Sequence, residues 1–169
     1  LSAVCPQFAH AVGRLFHEDS GLGADITRER IQAVKVLGGA GANARPYLVD
    51  IVKALEAGDW AERRAAIEAL EDLGEHVSPV VDQVARCLLH ADADVRRAAA
   101  EALGLMGVHA GSSLNRLEGM VDTEEDPDVL RACKQALELV REFAMEGLEA
   151  SASPQGPSPR SPKIAEKRR

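Results

Sequence analysis

The feature that most constrains this chain is a stretch that returns. Asp94 to Gly107, DVRRAAAEALGLMG, has relatives upstream and downstream at nearly constant spacing. Arg96, Ala99, Ala102, Leu103, Met106 and Gly107 fall, 33 positions earlier, on Arg63, Ala66, Ala69, Leu70, Leu73 and Gly74. Another step of 33 brings them onto Arg30, Ala33, Val36, Leu37, Ala40 and Gly41. A fourth copy appears with a step of 34, which carries Asp94, Val95, Arg97 and Leu103 onto Asp128, Val129, Arg131 and Leu137. Self-similarity at a fixed period of this length belongs to arrays of small units, none of which buries its apolar face alone.

Between these copies a second pattern recurs. Phe8, Ala11, Val12 and Leu15 follow the i, i+3, i+4, i+7 spacing of a helix with one apolar face. The spacing returns at Leu48, Ile51, Val52 and Leu55, at Val81, Val84, Ala85 and Leu88, and at Leu114, Leu117 and Val121. Each unit therefore reads as a pair of helices. First helices are predicted at about 27–39, 60–73, 93–106 and 127–146, with Asp59, Asp92 and Asp126 as N-terminal caps. Gly41, Gly74 and Gly107 are the expected stops, as residues able to adopt a left-handed conformation. Pro6, Pro46 and Pro79 mark the first turns of second helices, where a missing N–H costs nothing. The predicted fold is an all-α solenoid of stacked antiparallel helix pairs over residues 1–150.

Composition agrees with thin layers. Aromatic residues make up only 3% of the 169 residues, and Ala, Leu and Val replace them, so helices can approach closely. No apolar run nears the roughly 20 residues that span a bilayer. Cys5, Cys87 and Cys133 lie far apart without a C-x-x-C pair, which argues against a disulfide framework or a zinc site and for a reducing, cytoplasmic setting. Cys133 takes the place of Ala99 in the repeat and is expected to be a small buried hydrophobe.

After residue 150 the pattern ends in a Ser/Pro-rich basic segment, read as a disordered tail over 151–169. Its five cations, Arg160, Lys163, Lys167, Arg168 and Arg169, against Glu166 give +4, so the body carries −11 of the overall −7. Ser153, Ser158 and Ser161 each precede a proline and are candidate sites for proline-directed phosphorylation. An acidic body argues against nucleic acid as the main ligand. The chain begins at Leu1, and is expected to be a monomer or part of a longer protein.

The unit D-x-D-V-R-x-A-A-x-x-A-L-x-x-x-G resembles the HEAT repeat, in the short form typified by phycobilisome lyase subunits. Asp92, Val95, Arg96, Ala99, Ala102, Leu103 and Gly107 carry the resemblance, as do Asp128, Val129, Arg131, Ala136 and Leu137. It implies an armadillo-like superhelix whose second helices line a concave, partner-binding side. It also implies a ladder between Arg63 and Arg96 and the turn aspartates Asp59 and Asp92. Carried along the repeat, the outward columns hold His10, Arg14, Tyr47, Asp50, Lys53, Gln83, Arg86 and Arg116. Arg14, Lys53, Arg86 and Arg116 form the recurring basic strip there, and an acidic segment or helix of a protein partner is the expected ligand.

Enzymatic readings find little in the residues. The HEAT-like deoxyhypusine hydroxylases bind di-iron through His-Glu pairs, yet those positions here are Ile31-Gln32, Arg64-Ala65, Arg97-Ala98 and Arg131-Ala132. No G-x-S-x-G, H-E-x-x-H or P-loop occurs. The expectation is a scaffold without catalytic residues, metal or cofactor. The alternative is a chromophore- or small-molecule-handling subunit resembling the phycobilisome lyases.

Overall fold

The computed structural model describes residues 23–152, with side chains described from 27 to 143. The helix predicted around Phe8 to Leu15, together with His10, Arg14, Ser153, Ser158 and Ser161, lies outside the described residues. Within them the chain forms α1 (Gly23–Gly38), α2 (Leu48–Leu55), α3 (Trp60–Asp72), α4 (Val81–Cys87), α5 (Ala93–Met106), α6 (Leu114–Thr123) and α7 (Pro127–Ala152). No strand occurs among the described residues. The odd-numbered helices are the first helices of the units and the even-numbered ones the second.

The junction inside each unit is richer than a single turn. Gly41, Gly74 and Gly107 all have positive φ, at 54°, 51° and 53°. Gly107 pairs that φ with a ψ of −122°, so it is not a left-handed cap but a mirror-image extended residue, a region open essentially to glycine alone. Each glycine opens a seven-residue 3₁₀ segment: Gly41–Tyr47, Gly74–Val80 and Gly107–Ser113. Pro46 and Pro79 lie inside these segments rather than in the first turn of α2 and α4. Tight i→i+3 turns leave few N–H partners to lose, which is why proline is accommodated there.

The predicted caps form. Asp59 accepts from the N–H groups of Ala61 and Glu62 at 2.8 and 3.1 Å, Asp92 from Asp94 at 2.9 Å, and Asp126 from Asp128 and Val129 at 2.9 and 3.1 Å. Because those carboxylates serve their own helices, they are not the rungs of the arginine ladder. Arg30 pairs instead with Glu62 at 3.0 Å, Arg63 with Asp94 at 3.3 Å and Arg96 with Glu124 at 2.8 Å. The ladder exists, but its acids are Glu62 and Asp94 in the first turn of the next first helix, and Glu124 in the turn that leads to the next one. Arg63 also donates to the carbonyl of Ala57 at 2.6 Å, and Arg96 to those of His90 and Ala91 at 2.9 and 3.0 Å. The repeated arginine thus ties down the turn before its own helix and the next unit together.

The core is a set of columns crossing the units. Ala33, Ala66, Ala99 and Cys133 are buried in one; Leu37, Leu70 and Leu103 in another; Ile51, Val84 and Leu117 form a third on the second helices. First helices pack directly on one another, and each second helix lies mainly against the first helix of the following unit. Small residues set how close first helices come. A Cβ on Gly38 would lie 2.8 Å from Ala69 Cα, and one on Gly104 would lie 3.0 Å from Ala136 Cα. At the step between, the same column holds Glu71, which is exposed, and α3 meets α5 less extensively than at the neighbouring steps.

One column contains a defect. Tyr47 and Val80 are buried at the ends of the first two 3₁₀ segments, and the equivalent Ser113 is fully buried with a hydroxyl that lacks a hydrogen-bond partner. An unpaired buried hydroxyl costs about 1–3 kcal/mol. Ser113→Ala is therefore expected to raise stability by about 1 kcal/mol in urea unfolding; a loss of that size would mean that the hydroxyl is hydrogen-bonded.

Candidate interaction surface

The second-helix face was expected to present a strip of cations, and burial sorts its residues. Lys53, Arg86 and Arg116 are exposed on α2, α4 and α6, and Gln83 is half-buried. Tyr47 and Asp50 are corrected: they are buried at 7% and 6% exposure, because Tyr47 closes the core at the end of its 3₁₀ segment and Asp50 turns inward one position before Ile51. Neither is available as a contact.

The cations are not equally free. Lys53 Nζ reaches Asp50 Oδ1 at 3.2 Å, and Arg116 lies 3.7 Å from the Asp82 carboxylate of the preceding second helix. Arg86 has no ion-pair partner among the described residues. The Arg116–Asp82 pair, exposed on both sides, contributes little, about 0–1 kcal/mol, and is easily exchanged for a ligand's charge, whereas Lys53 is the exposed partner of a buried carboxylate. The strip therefore combines one unengaged guanidinium, one that a more acidic ligand could recruit, and a lysine paired with a buried acid.

The opposite face carries something the periodicity did not expose. Toward the N-terminal ends of α3 and α5 a groove of about 180 Å³ lies between the two helices, lined by Trp60, Arg63, Arg64, Ile67, Arg97 and Glu101 among others. Trp60, at 71% exposure, stands at its mouth. By sequence it stands at the start of the helix that Asp59 caps. The signal that could have marked it is its chemistry: the sole tryptophan of the chain occupies a position equivalent to Ala93, which needs no large side chain.

Thiol chemistry is disfavoured in the described residues. Cys87 and Cys133 are buried, and burial is the chief cause that pushes both thiols up to about 11. Glu56, which the Cys87 thiol faces at 3.6 Å, adds to its shift. At neutral pH both remain protonated, and a thiol is a far poorer nucleophile than a thiolate. Among the described residues no group of three or more His, Cys, Asp or Glu side chains could hold a metal ion. No described helix is long and apolar enough to cross a membrane.

No curated protein matches. An engineered protein, solved by crystallography as a target of the Northeast Structural Genomics Consortium, superposes with a TM-score of 0.48 at 19% identity, covering 83% of this chain and 69% of its own. The family model for HEAT repeats matches residues 48–138, from the start of α2 into α7. HEAT repeats generally mediate protein–protein interaction and are typically scaffolds rather than catalysts. With more than half of its length matched, and with first and second helices stacked unit upon unit through shared alanine and leucine columns, this chain belongs to the HEAT-repeat family.

Proposed function

We propose that this protein is a non-enzymatic cytoplasmic scaffold that holds an acidic segment or helix of a protein partner against its second helices. The observation that carries the reading is the exposure of Lys53, Arg86 and Arg116 on three successive second helices of an otherwise acidic body. Helix layers repeat at roughly 10 Å, and an acidic helix with carboxylates seven residues apart offers charges at about the same interval. Buried, protonated thiols support a scaffold over a subunit that attaches a chromophore.

The triple variant Lys53→Gln, Arg86→Glu, Arg116→Glu changes only exposed side chains and is expected to leave the melting temperature within a few degrees of the parent. Affinity capture with the full chain as bait, followed by cross-link mapping, is expected to place an acidic segment of the captured protein against α2, α4 and α6. The variant is expected to recover at least tenfold less of it. Equal recovery, or cross-links confined to the first helices, overturns the reading.

A further inference from the structure

A broad, open pocket lies elsewhere, at the edge formed by the turns that lead from second helices into first helices. It has a volume of about 620 Å³ and lies between the α4–α5 turn and the α6–α7 turn, walled by Leu88, Leu89, Met120 and Pro127 and rimmed by Glu125 and Asp126. Two irregularities of the repeat meet there. The step of 34 places its extra residue within the α6–α7 turn, since Leu88 to Val121 is a step of 33 and Asp92 to Asp126 a step of 34. Leu89 stands where the preceding unit has Glu56 and the following one Asp122, and it is 79% exposed, the most exposed large hydrophobic residue described.

Charge decides what this pocket can receive. At its inner side Arg96 is fully engaged, bidentate to Glu124 at 2.8 and 2.9 Å and bonded to two turn carbonyls. The hydrogen bonds from Arg96 hold the Glu124 carboxyl below its ordinary range, so it stays ionised. Glu125 is exposed and has no ion-pair partner among the described residues. An apolar wall beside Glu125, which has no ion-pair partner among the described residues, and Asp126, which already caps α7, is complementary to a cation with an apolar neighbour and mismatched to an acid.

We propose that this pocket is a second docking site, which takes a basic–apolar residue pair from an extended segment of a partner protein. The cation meets Glu125 and Asp126 at the rim, and the adjoining aliphatic side chain covers Leu89. The chain's own Lys163-Ile164 has this chemistry, but chain length alone leaves little slack for the role in cis. α7 runs 26 residues, about 39 Å, away from Pro127, and the 11 residues from 153 to 163 span no more than about that distance fully extended.

The test is a titration of the full-length protein, with methyl-labelled Leu and Met, by two Gly/Ser-flanked peptides that differ only in carrying Leu-Arg or Leu-Glu pairs. The Leu-Arg peptide is expected to shift Leu89 and Met120 methyl signals saturably, at least fivefold more tightly than the Leu-Glu peptide. Leu89→Glu, which installs the residue of the preceding unit at an exposed position, is expected to abolish the shift without altering the melting temperature. Equal response to the two peptides, no saturable shift, or shifts confined to α2, α4 and α6 overturn the proposal. A Lys163→Ser, Ile164→Ser variant that binds the Leu-Arg peptide more tightly overturns the external partner in favour of the chain's own tail.

Discussion

Gly107→Ala is expected to lower the unfolding free energy by about 3 kcal/mol, from two sources that can be separated. The first is the backbone. A residue with φ 53° and ψ −122° lies in a region that a Cβ makes costly, roughly 1–3 kcal/mol. The second is space: the new Cβ would stand 2.8 Å from Phe143 Cδ2 and 3.2 Å from Cγ. Phe143 is 43% exposed, so its ring can swing aside, at the loss of the cover it gives the junction between α5 and the third 3₁₀ segment. Gly74→Ala is the matched control. Its φ is 51° but nothing lies within 4 Å of the added Cβ, so only the backbone contributes, about 1–2 kcal/mol. Urea unfolding of the two variants should therefore differ by at least 1 kcal/mol. Equal losses would mean that α7 does not press on the third junction.

Arg96→Met is expected to cost a similar amount, about 3 kcal/mol, and to change how stability depends on pH. The side chains of Arg96 and Glu124 are 18% and 5% exposed, so removing the guanidinium leaves a carboxylate largely enclosed without its partner and strips the carbonyls of His90 and Ala91 of a donor. Arg97→Met is the contrast. Its pair with Asp94 is exposed on both sides, 43% and 55%, and its loss should cost no more than about 1 kcal/mol. In the parent the Glu124 carboxyl lies below its ordinary value, chiefly because Arg96 donates to it. Its contribution is then complete above the unfolded value near 4.5 and is lost as pH falls through the folded value. Glu62 runs the other way, since burial raises its carboxyl and favours the protonated form as pH falls. The difference between parent and Arg96→Met isolates the Glu124 contribution. That difference should be largest above pH 5 and should shrink on acidification. A gap independent of pH would show that the loss comes from the turn carbonyls alone.

Much of the molecule follows from short-range rules that act the same way in each unit. Asp59, Asp92 and Asp126 cap their helices because a carboxylate next to free N–H groups has a local partner wherever the unit lies. The alanine and leucine columns are buried because a helix with one apolar stripe has one way to hide it in a stack. The glycine stops were legible as well, although the conformation of Gly107 was not, since a positive φ can be reached with either sign of ψ.

What the sequence determined by itself is the array: its period, its caps, its seams and its membership of a repeat family. What only the tertiary structure decided is the surface, because exposure depends on which neighbour arrives from the next unit. Tyr47 and Asp50 look outward by register but are buried. The partners of Arg63 and Arg96 are Asp94 and Glu124 because the nearer aspartates are already bound to backbone N–H groups. Glu71 and the extra residue before Asp126 are minor departures in a list of letters. In the stack the first goes with a looser contact between α3 and α5 and the second lies in the turn that lines the acid-rimmed pocket, since a gap between layers is a property of two units and is written in neither one alone.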